Sequence, residues 1–531
     1  MTAISSVSIL QPLVVASIAP TSAVTAVEQT VAQTSSPSSV VTLGQTLSAV
    51  DAQTYTARGA IVDADVAPAW EYTQQDKVSL AIQGNFSTTS GVGRFQGLGA
   101  TLVSQLAETG KGISQSVIRS NTGKALSASE LAAAQQKLHS DAATNSICLT
   151  LTTASGKTVH MTLTGTDDGL AVQADVSGGK LSDDEWVALG KMADGFQSAI
   201  DGLTAKPPQL KLDALTRYDS KVFSSVDLDT QLQLDDGSVQ TLAFHTDADE
   251  RSVKMSGASG DLNVTVDLKN AAIIGNSAQQ AKALNRYVSQ IEAARKRGDG
   301  DPQLLSMFED AFKTLHSHYP GTRESTAPQT VNSIALTDTD HGLLTGLADF
   351  SASVSERTEA SNPARPNELD SFAYDLSQKT LSKGRDQLNR TLVQDQQSHL
   401  VASYHKPLAG AQKLELSRDS TSQNYLYYEV NDSASSQATI GYKKGELVQA
   451  SVTQAASQST RISKYVMGHL EHDKLTPTSS TRTQNFLGLL QQALQQDKAA
   501  RQGRGTSTLS DTLASIQGNV LLQSDPAQLN G

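Results

Sequence analysis

The chain has 531 residues, of which 38% are hydrophobic and only 5% aromatic, and its formal charge is −12. That length accommodates two to four domains of ordinary size, and the low apolar content leaves part of the chain as solvated segment. The acidic balance excludes a general nucleic-acid binder, which needs surplus Lys and Arg for phosphate contacts, and there is no run of about 18 apolar residues to form a membrane-spanning helix.

Residues 1–65 read as a disordered leader. The first fifty contain ten Ser and seven Thr, the first charged side chain is Glu28 and the first basic one is Arg58. A cleaved secretory signal needs a basic start before its apolar stretch, so none is expected. The tract cannot bury enough to repay the entropy of ordering. Its composition resembles the unfolded leader of type III secretion substrates, which implies a location that is cytoplasmic or reached by export without a cleaved signal.

Residues 66–320 read as an α+β domain. KVSLAI (77–82) is taken as a short strand. A helix is expected over 95–109, where Leu98, Leu102 and Leu106 recur every four residues. Ser127 and Glu130 make a capping-box pattern before LAAAQQKL. The period then becomes two. In ICLTLTTASGKTVHMTLTG the apolar residues are Ile147, Leu149 and Leu151, then Val159, Met161 and Leu163. They share one face only if odd pairs with odd, which a three-residue loop Ala154-Ser155-Gly156 provides. The same device recurs in LDTQLQLDDGSVQTLAF, where Leu228, Leu232, Leu234, Leu242 and Phe244 align across Asp235-Asp236-Gly237.

Ser182 and Glu185 form a second capping box, opening one helix with Trp186, Leu189, Ala193, Phe196, Ile200 and Leu203 inward. Two more helices follow. One turns Ala281, Leu284, Val288 and Ile291 inward, and the other Leu304, Phe308, Ala311, Leu315 and Tyr319. Residues 321–368 read as a linker with a short helix near 341–350. Residues 369–480 read as a β-rich domain, with YLYYEV and ATIGYKKGELVQASV as strands, the latter a hairpin turning at KKGE. Residues 481–531 read as a helix (484–499) and a polar tail.

The stretch GVGRFQGLGATLVSQLAETG (91–110) resembles the cofactor loop of the short-chain dehydrogenase family, which implies a pyrophosphate held by Gly93, Gly97 and Gly99 at a helix N-terminus. Ten residues separate KVSLAI from the turn, the family's Tyr-x-x-x-Lys is absent, and the following strands come as hairpins rather than βα units. The glycines therefore read as a loop that lets helices pack closely, with an NAD-linked oxidoreductase kept as the alternative.

Other candidate chemistry is sparse. Cys148, the only cysteine, points away from the inferred core and has no charge partner in view. His469 and His472 would share one side of a helix but lack a third ligand. His316 and His318 sit at a helix end, where a cation suits the dipole. Gly156-Lys157-Thr158 lacks the earlier glycine of a phosphate loop, and Gly298-Asp299-Gly300-Asp301 reads as a turn. Tyr425, Tyr427 and Tyr428 read as sheet packing, or alternatively as a stacking platform.

Three segments, GKMADGFQSAIDGL (190–203), KVFSSVDLD (221–229) and MFEDAFKTLHSHYP (307–320), resemble uncharacterised proteins of pseudomonad-type bacteria, some of them labelled lactate dehydrogenase. That label implies NAD, a 2-hydroxy acid, a His–Asp pair and substrate-binding Arg residues, and no residue here falls on a matching motif. The expectation is therefore an α+β protein of antiparallel hairpin sheets packed with amphipathic helices. It is expected to be a non-catalytic bacterial interaction or exported protein that serves contact with an unidentified protein partner, and no catalytic, cofactor or metal residue is assigned. A hydrolase with dispersed carboxylates is the remaining alternative.

Overall fold

The structure is a computed structural model that describes residues 67–72, 75–86, 91–120, 124–140, 143–234, 236–319, 334–409 and 413–530. The expected leader, Asp235, Pro320 and residues 321–333 of the expected linker lie outside the described residues. Fifteen strands form one sheet, and every pairing is antiparallel. The first nine are β1 (Ala69–Trp70), β2 (Ile113–Ile118), β3 (Asn145–Thr153), β4 (Thr158–Gly165), β5 (Gly169–Ser177), β6 (Phe223–Gln233), β7 (Val239–Thr246), β8 (Glu250–Ser256) and β9 (Gly260–Asp267). The rest are β10 (Asp349–Glu356), β11 (Ser371–Asp386), β12 (Asn389–Pro407), β13 (Tyr425–Lys443), β14 (Glu446–Val466) and β15 (His469–Asn485). Spatially the order is 1-2-5-4-3 and then 6 to 15 in sequence.

Hairpin register follows from the turns. Ile147 pairs with Leu163, Leu149 with Met161 and Leu151 with Val159, and Gly156 takes the left-handed conformation (φ +84°) that the three-residue loop needs. Leu228 faces Phe244, and the second loop closes through Leu234 and Ser238. The turn at KKGE places Lys444 (φ +53°) and Gly445 (φ +82°) between β13 and β14, as a two-residue hairpin turn demands. The alternation puts Leu149, Leu228, Phe244, Val253, Val264, Ala352 and Leu376 on one face, all buried.

Helices cover that face. They are α1 (Lys77–Phe86), α2 (Leu98–Thr109), α4 (Asp183–Lys191), α5 (Ala193–Leu203), α6 (Ser277–Gly298), α7 (Pro302–Leu315), α8 (Asp338–His341), α9 (Leu487–Arg501), α10 (Leu509–Val520) and α11 (Pro526–Leu529); α3 (Ala128–Leu138) instead packs Leu138 on Ile118 and Ala171 of the opposite face. Both expected capping boxes, Ser127/Glu130 and Ser182/Glu185, are formed. Among the described residues no helix is long and apolar enough to cross a membrane.

Several expectations are corrected. KVSLAI is not a strand but most of α1. Asp76 accepts from Ser79 N–H at 2.7 Å, and Val78, Ile82 and Phe86 recur every four residues on the buried side. The helix after Ser182 is two helices meeting at Met192. In α6 the buried face carries Gln279, Ala283, Tyr287, Gln290, Ile291, Ala294 and Gly298, whereas Ala281 is exposed. The Tyr287 hydroxyl fits this rotation, standing 3.2 Å from Gln378 Oε1 and 3.0 Å from Gln396 Oε1, either of which can accept its one proton. The stretch read as a linker supplies β10, which joins β9 to β11. The stretch read as a polar tail supplies α10 and α11.

A row of buried polar side chains, Gln378, Gln396, Ser436 and Gln454, crosses β11 to β14 on the helix side. It satisfies irregular backbone that no helix or strand can. Gln396 Nε2 donates to Val520 O (2.8 Å) and Gln396 Oε1 accepts from Leu522 N–H (3.0 Å). Ser436 donates to Val520 O (2.7 Å), Gln454 to Leu521 O (2.8 Å) and Gln458 to Ser524 O (3.1 Å). The link between α10 and α11 thus lies across the strands, held by side chains.

Candidate functional site: a trough across the open sheet face

Gly93, Gly97 and Gly99 do not form a strand–turn–helix cradle. Gly93 lies in a short 3-10 turn (Val92–Phe95), Gly97 precedes α2 with φ +70°, and Gly99 is in the first turn of α2. A Cβ at Gly99 would stand 2.6 Å from Ile200 Cδ1 and 3.0 Å from Phe196 Cδ1 of α5. This glycine therefore serves helix contact, and the segment before the loop is a helix, with every strand pairing among the described residues antiparallel.

The face away from the helices carries a groove of about 680 Å³ across β9 to β15. Two cross-strand rows form its floor. One runs Asn263, Ser353, Asp375, His399, Ser433, Ser457, Ser479, and the other Ser351, Ser377, Gln397, Ser435, Ala455, Thr481. Six strand intervals of about 4.8 Å make the floor roughly 29 Å long. Most of these side chains are small and bear hydroxyls. The segment 357–370 flanks this region, fixed by Tyr427 OH donating to Leu369 O (3.0 Å) and by the Arg365 guanidinium lying 4.1 Å from the Tyr465 ring centroid. That segment covers Tyr425 and Tyr427, while Tyr428 stacks on Tyr404 at 4.9 Å. The three tyrosines therefore present no joint platform.

Asp375, His399 and Ser433 are direct cross-strand neighbours, an order that invites comparison with a hydrolytic triad. The geometry does not assemble one. His399 Nε2 is paired with Asn431 Oδ1 at 3.3 Å, all three side chains are exposed, and the backbone N–H groups beneath belong to the ladders joining β11, β12 and β13. No amide is left to stabilise an oxyanion.

A second cluster was missed in the sequence because only register reveals it. Cys148 pairs with Thr162, and Thr150 with His160, so a Cys and a His share one wall of a 290 Å³ pocket. Cys148 Sγ lies 3.7 Å from both ring nitrogens, which places the sulfur over the imidazole face rather than along a lone pair. Each nitrogen already has a threonine hydroxyl, Thr150 at 3.1 Å and Thr162 at 3.2 Å. Burial pushes the Cys148 thiol up, and Asp229 and Asp227 add to it, so the thiol stays protonated at neutral pH.

The remaining candidates are structural. His316 is not a cation at a helix end: it is buried, which pulls its pKa down to about 4, and Nδ1 bonds Phe312 O at 2.8 Å. Arg251 meets the α7 terminus instead, donating to the carbonyls of Leu315, Ser317 and His318. His469 and His472 lie on β15, not on a helix. Among the described residues no group of three or more His, Cys, Asp or Glu is placed to hold a metal ion. No family model, no curated protein and no solved structure matches the chain.

Proposed function

We propose that the protein is a non-enzymatic docking protein whose trough takes an extended, uncharged polypeptide segment of a partner, lying across β9 to β15. The hydroxyl-lined trough itself carries the reading. Its floor offers donors and acceptors at each strand. Among the described residues Asp375 is the only carboxylate that lines it and no lysine or arginine does, so a polyanion finds no counter-charge from them. The sheet's other face supports the choice of occupant, because side chains there already hold the extended link Leu521–Asp525 across the strands. A floor of roughly 29 Å matches about nine extended residues.

The test is binding of the full chain to an immobilised array of uncharged ten-residue peptides, with neutral oligosaccharides as a second arm. Ser435→Trp and Ser457→Trp place bulk on the floor at exposed or half-exposed positions. Peptide signals should fall at least tenfold in both variants while their melting temperatures stay at the parent value. Binding confined to the oligosaccharides, or peptide binding indifferent to both substitutions, overturns the proposal.

A further inference from the structure

Behind the trough, on the helix-covered side, lies a small cavity of about 30 Å³. Gln290, Ala294 and Arg297 of α6, Tyr374 of β11, Ser398 of β12 and Ser524 line it. Ser398 and Ser433 contribute to both this cavity and the trough, so only the sheet separates them. Tyr374 Oη and Gln290 Oε1 are buried without a hydrogen bond of ordinary geometry, on residues only 3% and 5% exposed, with the Ser398 hydroxyl close enough to Tyr374 to act on its ionisation. Buried polar groups without protein partners are the sites that internal waters fill, provided there is room and at least two polar contacts. That room exceeds the roughly 10–15 Å³ that a water molecule needs.

We infer that this cavity is a binding site for one internal water molecule, which accepts from the Tyr374 hydroxyl and donates to Gln290 Oε1 and to Ser398 Oγ. The balance of protons is complete. The phenol gives its one, and the water gives its two to acceptors that have free lone pairs. Burial holds the phenol far above its usual ionisation range, so it remains a donor at every working pH. The water thereby ties α6 to the strands whose far side forms the trough floor.

A high-resolution crystal structure of the full chain should show one ordered density peak within hydrogen-bonding distance of Tyr374 Oη and Gln290 Oε1. A cavity without density there overturns the inference. A second measurement works without crystals. Tyr374→Phe and Gln290→Leu, singly and together, are compared by urea denaturation midpoint. The two groups share no direct hydrogen bond, so a bridging water predicts that the double variant loses clearly less than the sum of the single losses. Additive losses count against the water.

Discussion

The His405 imidazole lies between two carboxylates, 2.6 Å from Asp370 and 3.3 Å from Glu368, with its side chain 1% exposed. Glu368 also accepts from Tyr425 OH at 2.6 Å. Burial works to lower the imidazole pKa, but the bonds to Asp370 and Glu368 outweigh it and raise the pKa to about 9. An unfolded histidine titrates near 6.5. The folded state therefore binds the proton more tightly, and the contribution to stability is full below about pH 6.5 and is lost as pH rises through about 9. An NMR titration should find the His405 midpoint near 9, with denaturation midpoints falling over the same range, and His405→Gln should remove that part of the fall. A midpoint near 6.5 would mean the imidazole is not clamped. None of this was legible in the sequence, because Glu368 and Asp370 are more than thirty positions from His405 and the register of β12 brings them together. The Cys148–His160 contact was closer to reach, since the odd-with-odd pairing already implied that residues 148 and 160 are diagonal neighbours.

At the scale of elements, sequence patterns were informative where burial was one-sided. The first two hairpins were legible because each has a single buried face, and the two capping boxes because their bonds are local. KVSLAI misled because six apolar-rich residues fit either period. The deciding signal was longer, Val78, Ile82 and Phe86 behind the Asp76 cap. Phe350, Ala352 and Val354 alternate in β10 but sit among serines that suggested a linker. β15 gave no periodicity because nearly all its side chains are exposed. The trough left no local trace, since small hydroxyl residues on a solvent face mean nothing until seven strands are in register. The loop before α2 separates two roles for glycine. Gly97 has φ +70° and open space around it, so Gly97→Ala should cost only the left-handed backbone penalty, about 1 kcal/mol. Gly99→Ala must displace Ile200 and Phe196 and should cost about 1–3 kcal/mol. Urea denaturation of the two variants checks this, and equal losses would mean α2 and α5 are not in close contact.

An open sheet of fifteen strands has two ends to protect, because unpaired edge groups template association. One end is closed by β1, which is only two residues long. At the other, no described strand pairs beyond β15, a 17-residue strand. Its sequence carries His469, Glu471, His472, Asp473, Lys474 and Arg482, and Pro477 near its middle. The ladder shows which way that proline faces. Ser459 is opposite Pro477, and Ser459 N–H donates towards β13, to Asp432 Oδ1 at 3.1 Å. Groups of one residue in an inner strand point to one neighbour, so Ser459 and Pro477 are a non-hydrogen-bonded pair and the Pro477 nitrogen faces the open edge. Proline therefore removes a donor from the outward side without removing one from the ladder. Pro477→Thr should leave stability within about 0.5 kcal/mol of the parent, since no inward bond changes. It should also restore an edge donor in this 17-residue edge strand, and sedimentation velocity on a concentration series should then show larger species in the variant at concentrations where the parent gives none. Identical sedimentation profiles would assign protection of this edge to the charged side chains alone.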